Sequence, residues 1–217
     1  MKYTAIDGGV CAAKGFSAGG VHAGFRKNTA KLDLAMVVAD DLCTAAGVFT
    51  KNKVFAAPVG VTRAHLSSGH ARAIIANSGN ANACTGDKGI KDNQKMAEIY
   101  AKILGVPAES VLTASTGVIG MMMPMDKIEK GIKLTYPLLT DEAEGGHTAA
   151  EAIMTTDTVN KEVTVEIELS GKRVTVAGMS KGSGMIHPNM ATMLAFITTD
   201  AAIEQSLLND IVKECIK

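Results

Sequence analysis

A single threonine near the carboxyl end of the sequence has surroundings that suit a nucleophile. Thr192 follows the glycine-punctuated stretch KGSGMIHPNMA and precedes the apolar run Met193–Ile197. A free hydroxyl is a weak nucleophile that needs a base beside it, and one solution is the threonine's own α-amino group. Because that amine has a pKa of about 7.7 to 8.0, it can take the hydroxyl proton near neutral pH. An internal threonine has no such amine, so the bond before it must first be cut.

The residues before Thr192 fit such a cut. The glycines and the small side chain of Ala191 would let the Ala191 carbonyl meet the Thr192 hydroxyl in a strained geometry, giving an ester that water opens. The products would be one chain ending at Ala191 and another beginning TMLAFITTD. The alternative is that Thr192 is a packing residue at the start of a strand.

Acyl chemistry also needs hydrogen-bond donors for an oxyanion. The stretch TASTGVIG sets the Thr116 hydroxyl beside the Gly117 backbone N–H, and removing one such donor typically costs about 10²–10³ in rate. Lys181 could bind a substrate carboxylate or lower the pKa of the new amine, the alternative being an ordinary surface lysine. A further polar, glycine-containing stretch, NSGNANACTG, is typical of a tight turn.

The composition excludes several classes of partner. The 22 basic and 22 acidic residues balance, so there is no basic excess for nucleic acid or an anionic membrane. No window reaches the ~20 apolar residues of a membrane helix, and the first residues have no signal-peptide core. With 47% apolar residues, the sequence predicts a globular cytoplasmic protein.

Metal and nucleotide sites have little support. His147 has Glu151 four residues on, but this pair completes no zinc pattern, and His65 and His70 are expected to face solvent. No phosphate-loop or dinucleotide spacing is present, and the G-x-S-x-G motif of α/β-hydrolases is absent. We therefore expect no metal and no cofactor. Buried reduced thiols are expected at the four scattered cysteines, which are Cys11, Cys43, Cys84 and Cys215.

The pattern of apolar residues alternates between strands and helices. Short β-branched runs bounded by Gly, Asn and Asp predict strands: DLAMVVAD, TAAGVFT, APVGVTRAH, ARAIIANSGNANACTG, SVLTASTGVIG and a hairpin over 161–179. Helical periodicity and capping signals predict helices at Asp92–Leu104, Met125–Lys133, Thr148–Met154 and Ala201–Lys217. Together these predict an α+β or layered α/β architecture.

The last predicted helix carries an apolar stripe that we expect to face inward. It reaches the end of the sequence without a Gly cap, a Pro or a following loop. We therefore expect the natural protein to continue beyond it. The stripe consists of Ile203, Leu207, Leu208, Ile211, Val212, Cys215 and Ile216.

Several long stretches, in order, resemble the ornithine acetyltransferase family, the bifunctional glutamate N-acetyltransferases of arginine biosynthesis. They are NSGNANACTG, STGVIG, IMTTDTVNK and KGSGMIHPNMATML, with GFSAGGVHAGFRK, DLAMVVAD, CTAAGVFTKN and FITTDA extending the resemblance along essentially the whole chain. The fold that the resemblance implies is a layered α/β/β/α sandwich, similar to the Ntn hydrolases but with its own connectivity.

The resemblance also implies an activity. Members cleave themselves before the threonine of MATML, here Thr192, and move acetyl from N-acetylornithine to glutamate through that threonine; some also accept acetyl-CoA. The oxyanion hole maps onto Thr116 and Gly117. Substrate contacts map onto Lys181, Thr192 and a threonine of MTTDT, which we place at Thr155 with Thr156 as the alternative.

Residues 1–191 would then form an α chain, and residues 192–217 the start of a β chain, in a heterotetramer of two chains of each kind. Family members continue well beyond this point and contribute further substrate-site residues from there. Two alternatives stay open: an N-terminal-nucleophile aminopeptidase or amidohydrolase of similar fold, and a non-catalytic fragment that needs its missing half.

Overall fold

In a computed structural model of the chain, the structure describes residues 3–182 and 192–216. These contain eight strands and five α-helices. The strands are β1 (Tyr3–Ala5), β2 (Phe16–Val21), β3 (Leu34–Thr44), β4 (His70–Asn80), β5 (Val111–Val118), β6 (Lys161–Leu169), β7 (Lys172–Lys181) and β8 (Leu194–Thr199). The helices are α1 (Ala57–His65), α2 (Gly86–Leu104), α3 (Met125–Thr135), α4 (Ala143–Ala152) and α5 (Gln205–Cys215).

The first sheet has the strand order β2-β3-β4-β5. Strands β2, β3 and β4 are antiparallel neighbours, whereas β4 and β5 run parallel. A parallel pair needs a crossover connection, which α2 supplies here. The first half of β3, Leu34–Ala39, and most of β4 are buried because both faces of the sheet are covered there, which explains their apolar sequences.

The second sheet has the strand order β1-β6-β7-β8 and is antiparallel throughout. The predicted hairpin is confirmed as β6 and β7. Ser170 and Gly171 join the two strands, both with positive φ, 52° and 76°. This is the backbone that a two-residue hairpin turn with right-handed strand twist requires.

Two apolar clusters hold the layers together. The first packs α2 and α3 on one face of the first sheet, around Met36, Ile75 and Tyr100. The second fills the space between the two sheets, where α4 and Met179 of β7 meet the small residues of β2 to β5. The predicted mixed α/β class with stacked sheets is therefore confirmed. The outer face of the second sheet exposes Val163 by 69% and Ile197 by 67%.

Two predicted strands are wrong. The stretch APVGVTRAH forms α1, with a proline in its first turn, where proline's missing N–H is harmless. The Thr62 hydroxyl donates to the Thr113 carbonyl at 2.7 Å and accepts from the Thr113 N–H at 2.9 Å. Thus α1 satisfies the free backbone groups of the edge strand β5. The stretch TAAGVFT is irregular beyond Thr44.

Three helix starts also differ from expectation, and that of α5 lies at Gln205 rather than at Ala201. Helix α2 begins at Gly86, and Asp92 lies within it, paired with Lys88. Helix α4 begins at Ala143, so Thr148 is no N-cap. Its hydroxyl instead donates to the Glu144 carbonyl and accepts from the Gly20 N–H. The first turns of α2 and α4 contain glycines. Because glycine is a poor helix former, the sequence pattern placed both starts too late.

The last helix is confirmed, but the expected burial of its stripe is wrong for the described residues. In α5 no residue is buried, and Leu207 is 55% exposed. The cysteine expectation holds for Cys11, which is buried, whereas Cys84 and Cys215 are exposed. No helix among the described residues is long and apolar enough to cross a membrane.

Candidate active site

The carboxyl ends of β5 and β7 meet at one end of the two stacked sheets. Lys181, the last residue of β7, donates from Nζ to the Thr116 hydroxyl at 2.9 Å and to the Thr192 carbonyl oxygen at 3.2 Å. It is only 4% exposed. One buried cation therefore joins the residues for which the sequence predicted a nucleophile and an oxyanion hole.

The end of β5 depends on two glycines that face each other. Gly117 has a φ of 135° and pairs with Gly79 of β4, whose φ is 101°. A Cβ atom on Gly117 would lie 2.4 Å from the Gly79 carbonyl carbon, closer than any side chain can approach. A glycine is therefore required at position 117. The close packing on Gly79 fixes the orientation of the Gly117 backbone relative to the Thr116 side chain.

Buried amides brace this end of the sheet. Ser115 donates to Asn77 Oδ1 at 2.7 Å, and Asn77 Nδ2 donates to the Asn80 carbonyl at 2.9 Å. Asn80 in turn donates to the carbonyls of Met121 and Met122. Of the stretch NSGNANACTG, for which the sequence predicted a turn, residues 77–80 instead end β4, and the irregular segment follows them. Asn80 fixes the loop after Gly117.

A buried carboxylate organises the other side of the site. Asp157 lies in the irregular segment between α4 and β6, and its side chain is 1% exposed. Its Oδ1 accepts from the Gly182 N–H at 3.0 Å and from Lys161 Nζ, and its Oδ2 accepts from the Thr155 N–H at 3.2 Å. Asp157 therefore links residues 155–157, which we call the TTD turn, to the first residue of β6 and to the residue that follows β7.

A further cation, Arg26, lies close to these charges. Its guanidinium donates to the Ser78 hydroxyl at 2.9 Å, and it interacts electrostatically with Asp33, Asp157 and Glu151. The Ser78 hydroxyl itself donates a hydrogen bond to the Ala152 carbonyl at 2.6 Å. Arg26 thus extends the polar site along β4 towards the end of α4.

Burial and charge act in opposite directions on the titratable groups here. Burial lowers the pKa of Lys181, while Asp157 opposes that shift. Burial alone would raise the pKa of Asp157, but the hydrogen bonds from Lys161, Gly182 and Thr155 outweigh it and hold the pKa at about 2. Asp157 is consequently ionised at any pH near neutrality.

Most of the predicted site residues lie at this end of the molecule. Thr116, Lys181 and Thr192 are in contact, and Gly117 follows Thr116. Thr192 is exposed, whereas Thr155 is partly buried and Thr156 exposed. Thr155 is joined to the same network through its N–H. The predicted cleavage partner Ala191 lies outside the described residues.

Two charged residues of the site were missed in the sequence. Arg26 stands within GFRK, and a lone arginine there has no spacing that distinguishes it from a surface residue. Asp157 stands within IMTTDTVNK, four residues before Lys161, with which it is paired. An aspartate and a lysine four residues apart, outside any predicted helix, were the available sign of this ion pair.

The histidine interpretation needs correction. His147 pairs with Glu162 at 3.0 Å and with Asp7 at 3.4 Å, not with Glu151. His65 is partly buried and hydrogen-bonds the Val111 carbonyl, so only His70 is exposed as expected. Among the residues of 3–182 and 192–216, no group of three or more His, Cys, Asp or Glu side chains could hold a metal ion.

The two stacked sheets with a polar site at their ends define the class of fold. The L-aminopeptidase D-Ala-esterase/amidase from Ochrobactrum anthropi, a variant among the Ntn hydrolase fold, superposes with a TM-score of 0.55. At 10% identity, over 99% of this chain and 70% of that chain, this similarity concerns the fold alone. The predicted Ntn-hydrolase-like fold is thereby confirmed.

Closer comparisons identify the family. The chain belongs to the ArgJ family, whose model matches residues 17–217. The arginine biosynthesis bifunctional protein ArgJ from Symbiobacterium thermophilum is 50% identical over 96% of this chain and 52% of its own length. The chain thus spans about half the length of the curated relatives it matches.

Two solved structures are similar at 42% identity and a TM-score of 0.80. One is the arginine biosynthesis bifunctional protein argJ from Bacillus halodurans, matched over 89% of this chain and 100% of that chain. The other is an ornithine acetyltransferase from Mycobacterium tuberculosis in complex with ornithine, matched over 86% of this chain and 98% of that chain.

Proposed function

We propose that the protein moves an acetyl group from N-acetylornithine to glutamate through an ester on Thr192, after cleavage between Ala191 and Thr192. The observation that carries this proposal is the contact of Lys181 with both Thr116 and the Thr192 carbonyl. Membership of the ArgJ family, and the similarity to an ornithine acetyltransferase in complex with ornithine, support the same reaction and substrate.

Cleavage would begin with attack of the Thr192 hydroxyl on the Ala191 carbonyl carbon. The C–N bond breaks as the C–O bond forms, and water hydrolyses the resulting ester to leave a free amine on Thr192. Residues 1–191 would then form one chain and residues 192–217 the start of a second chain, in a heterotetramer of two chains of each kind.

In the transfer, the new amine takes the Thr192 hydroxyl proton while the oxygen attacks the acetyl carbonyl. The oxyanion that forms would be held by the Thr116 hydroxyl and the Gly117 N–H. The Thr116 oxygen already accepts a hydrogen bond from Lys181, so its own proton is free to donate. Ornithine leaves with a proton on its amine, and the amine of glutamate then attacks the acetyl-threonine ester.

The charges of the site suit amino-acid substrates. Lys181 and Arg26 are partly or fully withdrawn from water, and a carboxylate that binds between such cations gains strong hydrogen bonds. Thr155, and Thr156 as the alternative, would complete the substrate contacts.

We propose that the enzyme needs no cofactor, that it can take acetyl-CoA as a second donor, and that it acts in the cytoplasm.

An acetyl-transfer assay on the protein expressed from its complete gene tests this function. With isotopically labelled N-acetylornithine and glutamate, mass spectrometry should detect labelled N-acetylglutamate. Thr192→Ala should reduce its formation by about 10³-fold or more, because the covalent route is removed. Thr4→Ala, at an exposed threonine on the opposite edge strand of the same sheet, should leave it unchanged. Release of labelled acetate without N-acetylglutamate would instead indicate a hydrolase.

A further inference from the structure

Asp157 is a charged side chain at the site that is only 1% exposed, yet none of the expected catalytic steps uses it. Its carboxylate accepts three hydrogen bonds, from Lys161 Nζ and from the N–H groups of Thr155 and Gly182. Ion pairs that only add to stability are usually found on the surface, whereas Asp157 is buried. A buried carboxylate at this position requires a specific explanation.

The three donors belong to the three segments that meet at the site. Thr155 precedes Asp157 in the TTD turn, and Lys161 begins β6. Gly182 is the residue after Lys181, where the chain leaves β7. The hydrogen bond at 3.0 Å from the Gly182 N–H therefore fixes the backbone next to Lys181. The φ of Gly182 is 129°, so this bond holds a conformation that few other residues would adopt.

Asp157 also balances the positive charge around Lys181. The charged groups that act on Lys181 are Asp157, which favours its protonated form, and Lys161 and Arg26, which disfavour it. Asp33, Asp157 and Glu151 in turn act on Arg26 and favour its charged form. Of the groups acting on Lys181, Asp157 is thus the one that opposes the effects of burial and of two cations.

We propose that Asp157 is a positioning residue for the acetyl-transfer reaction: it orients the chain at Gly182 and keeps Lys181 protonated in its buried place. Asp157 touches neither substrate nor reacting atoms in this scheme and acts through Lys181. The inference rests on the proposed function, because Lys181 must matter for transfer if its ionisation is to be seen in the rate.

The test measures the transfer rate against pH for Asp157→Asn, Lys161→Met and the double variant, each in the protein expressed from its complete gene. Asp157→Asn removes one negative charge and should move the basic limb of the profile to lower pH. Lys161→Met removes a repelling cation and should move the limb to higher pH. The double variant restores the balance and should return the limb towards that of the unmodified protein.

A matched control is available in α2. Asp92 pairs with Lys88 at 2.7 Å with the same four-residue spacing, and Asp92→Asn removes that pair without touching the site. Its pH profile should coincide with that of the unmodified protein. If Asp157→Asn does not fold, the opposite shift in Lys161→Met still decides the question.

The proposal is overturned if Asp157→Asn and Lys161→Met leave the basic limb in place, whether or not the rate falls at all pH values. A uniform fall with an unmoved limb would mean that Asp157 does not act through the charge of Lys181, which contradicts the proposal. Failure of the proposed function looks different: the unmodified protein itself would then form no N-acetylglutamate.

Discussion

The two halves of the site are built from different materials. The half supplied by the ends of β4 and β5 contains Asn77, Gly79, Thr116 and Gly117, none of which is charged, and Arg26 from the loop between β2 and β3 lies beside it. The half supplied by the second sheet and the segment before it contains the charged residues Asp157, Lys161 and Lys181; Asp157 and Lys181 are buried, whereas the Lys161 side chain is 37% exposed. We refer to these sets as the neutral half and the charged half.

The difference suggests a division of work. Neutral donors held by close backbone packing stabilise an oxyanion without reorganising, because their geometry exists before the reaction. Buried charges respond to pH and to one another and suit the recognition of a substrate carboxylate. Lys181 reaches from the charged half to the Thr116 hydroxyl. Changes in the neutral half should therefore alter stability and rate, whereas changes in the charged half should also alter pH dependence.

The strongest test of the neutral half is Gly117→Ala. Its methyl group would collide with the Gly79 backbone at a φ of 135°, so we expect a loss of about 3 to 5 kcal/mol in unfolding free energy. Gly120→Ala is the control, because Gly120 also has positive φ but no atom within 4 Å of the added carbon; it should cost about 1 kcal/mol. Urea denaturation measures both. Equal losses would contradict the role given to the close approach.

The next largest effect concerns the Thr116 hydroxyl. Thr116→Val removes a donor to the oxyanion, so transfer should slow by about 10²–10³-fold, while Thr116→Ser should keep most of the rate. Because the hydroxyl is neutral, the shape of the pH profile should stay the same in both. A shifted profile in Thr116→Val would show that the two halves are not separable.

Acid stability tests the charged half. Asp157 has a pKa of about 2 in the folded protein against 3.8 as its ordinary value. Its contribution, on the order of 2 kcal/mol, is therefore present above pH 3.8 and lost as the pH falls towards 2. Unfolding free energies measured between pH 6 and pH 2 should show Asp157→Asn less stable at pH 6, with the difference shrinking on acidification. A constant difference across this range would be the wrong outcome.

The smallest effect is expected outside the site, at His147. The hydrogen bond to Glu162 raises the pKa of His147, so its stabilising effect is full below pH 6.5 and is lost as the pH rises through the folded pKa. Because the ring is 41% exposed, the effect should stay below about 1 kcal/mol. His147→Gln should remove it without changing the pH profile of transfer, and His70→Gln should change neither quantity. A moved transfer profile would place His147 within the charged half.

Much of this arrangement could be predicted from the sequence because the elements carry local signals. The alternation in β6 and β7, the apolar runs of β3 and β4, and the glycine that ends α2 all reflect backbone preferences. Thr116, Gly117, Lys181 and Thr192 were found because their residue types stand in polar stretches next to strands.

What the sequence could not supply depends on contacts between distant residues. Helix α1 has a strand-like sequence, and its place is set by Thr62 and His65 on the edge of β5. Asp157 looks like any turn aspartate until the fold brings Gly182 to it. Helix α5 is amphipathic, as predicted, yet its stripe is exposed, since an apolar stripe does not reveal which surface it meets.

The central claim is that Thr192 becomes an N-terminal nucleophile, and intact-mass spectrometry of the protein expressed from its complete gene tests it most directly. We predict two chains, one ending at Ala191 and one beginning at Thr192, with the second heavier by one acetyl group after incubation with N-acetylornithine alone. An uncleaved chain that still forms N-acetylglutamate at the full rate would contradict the account.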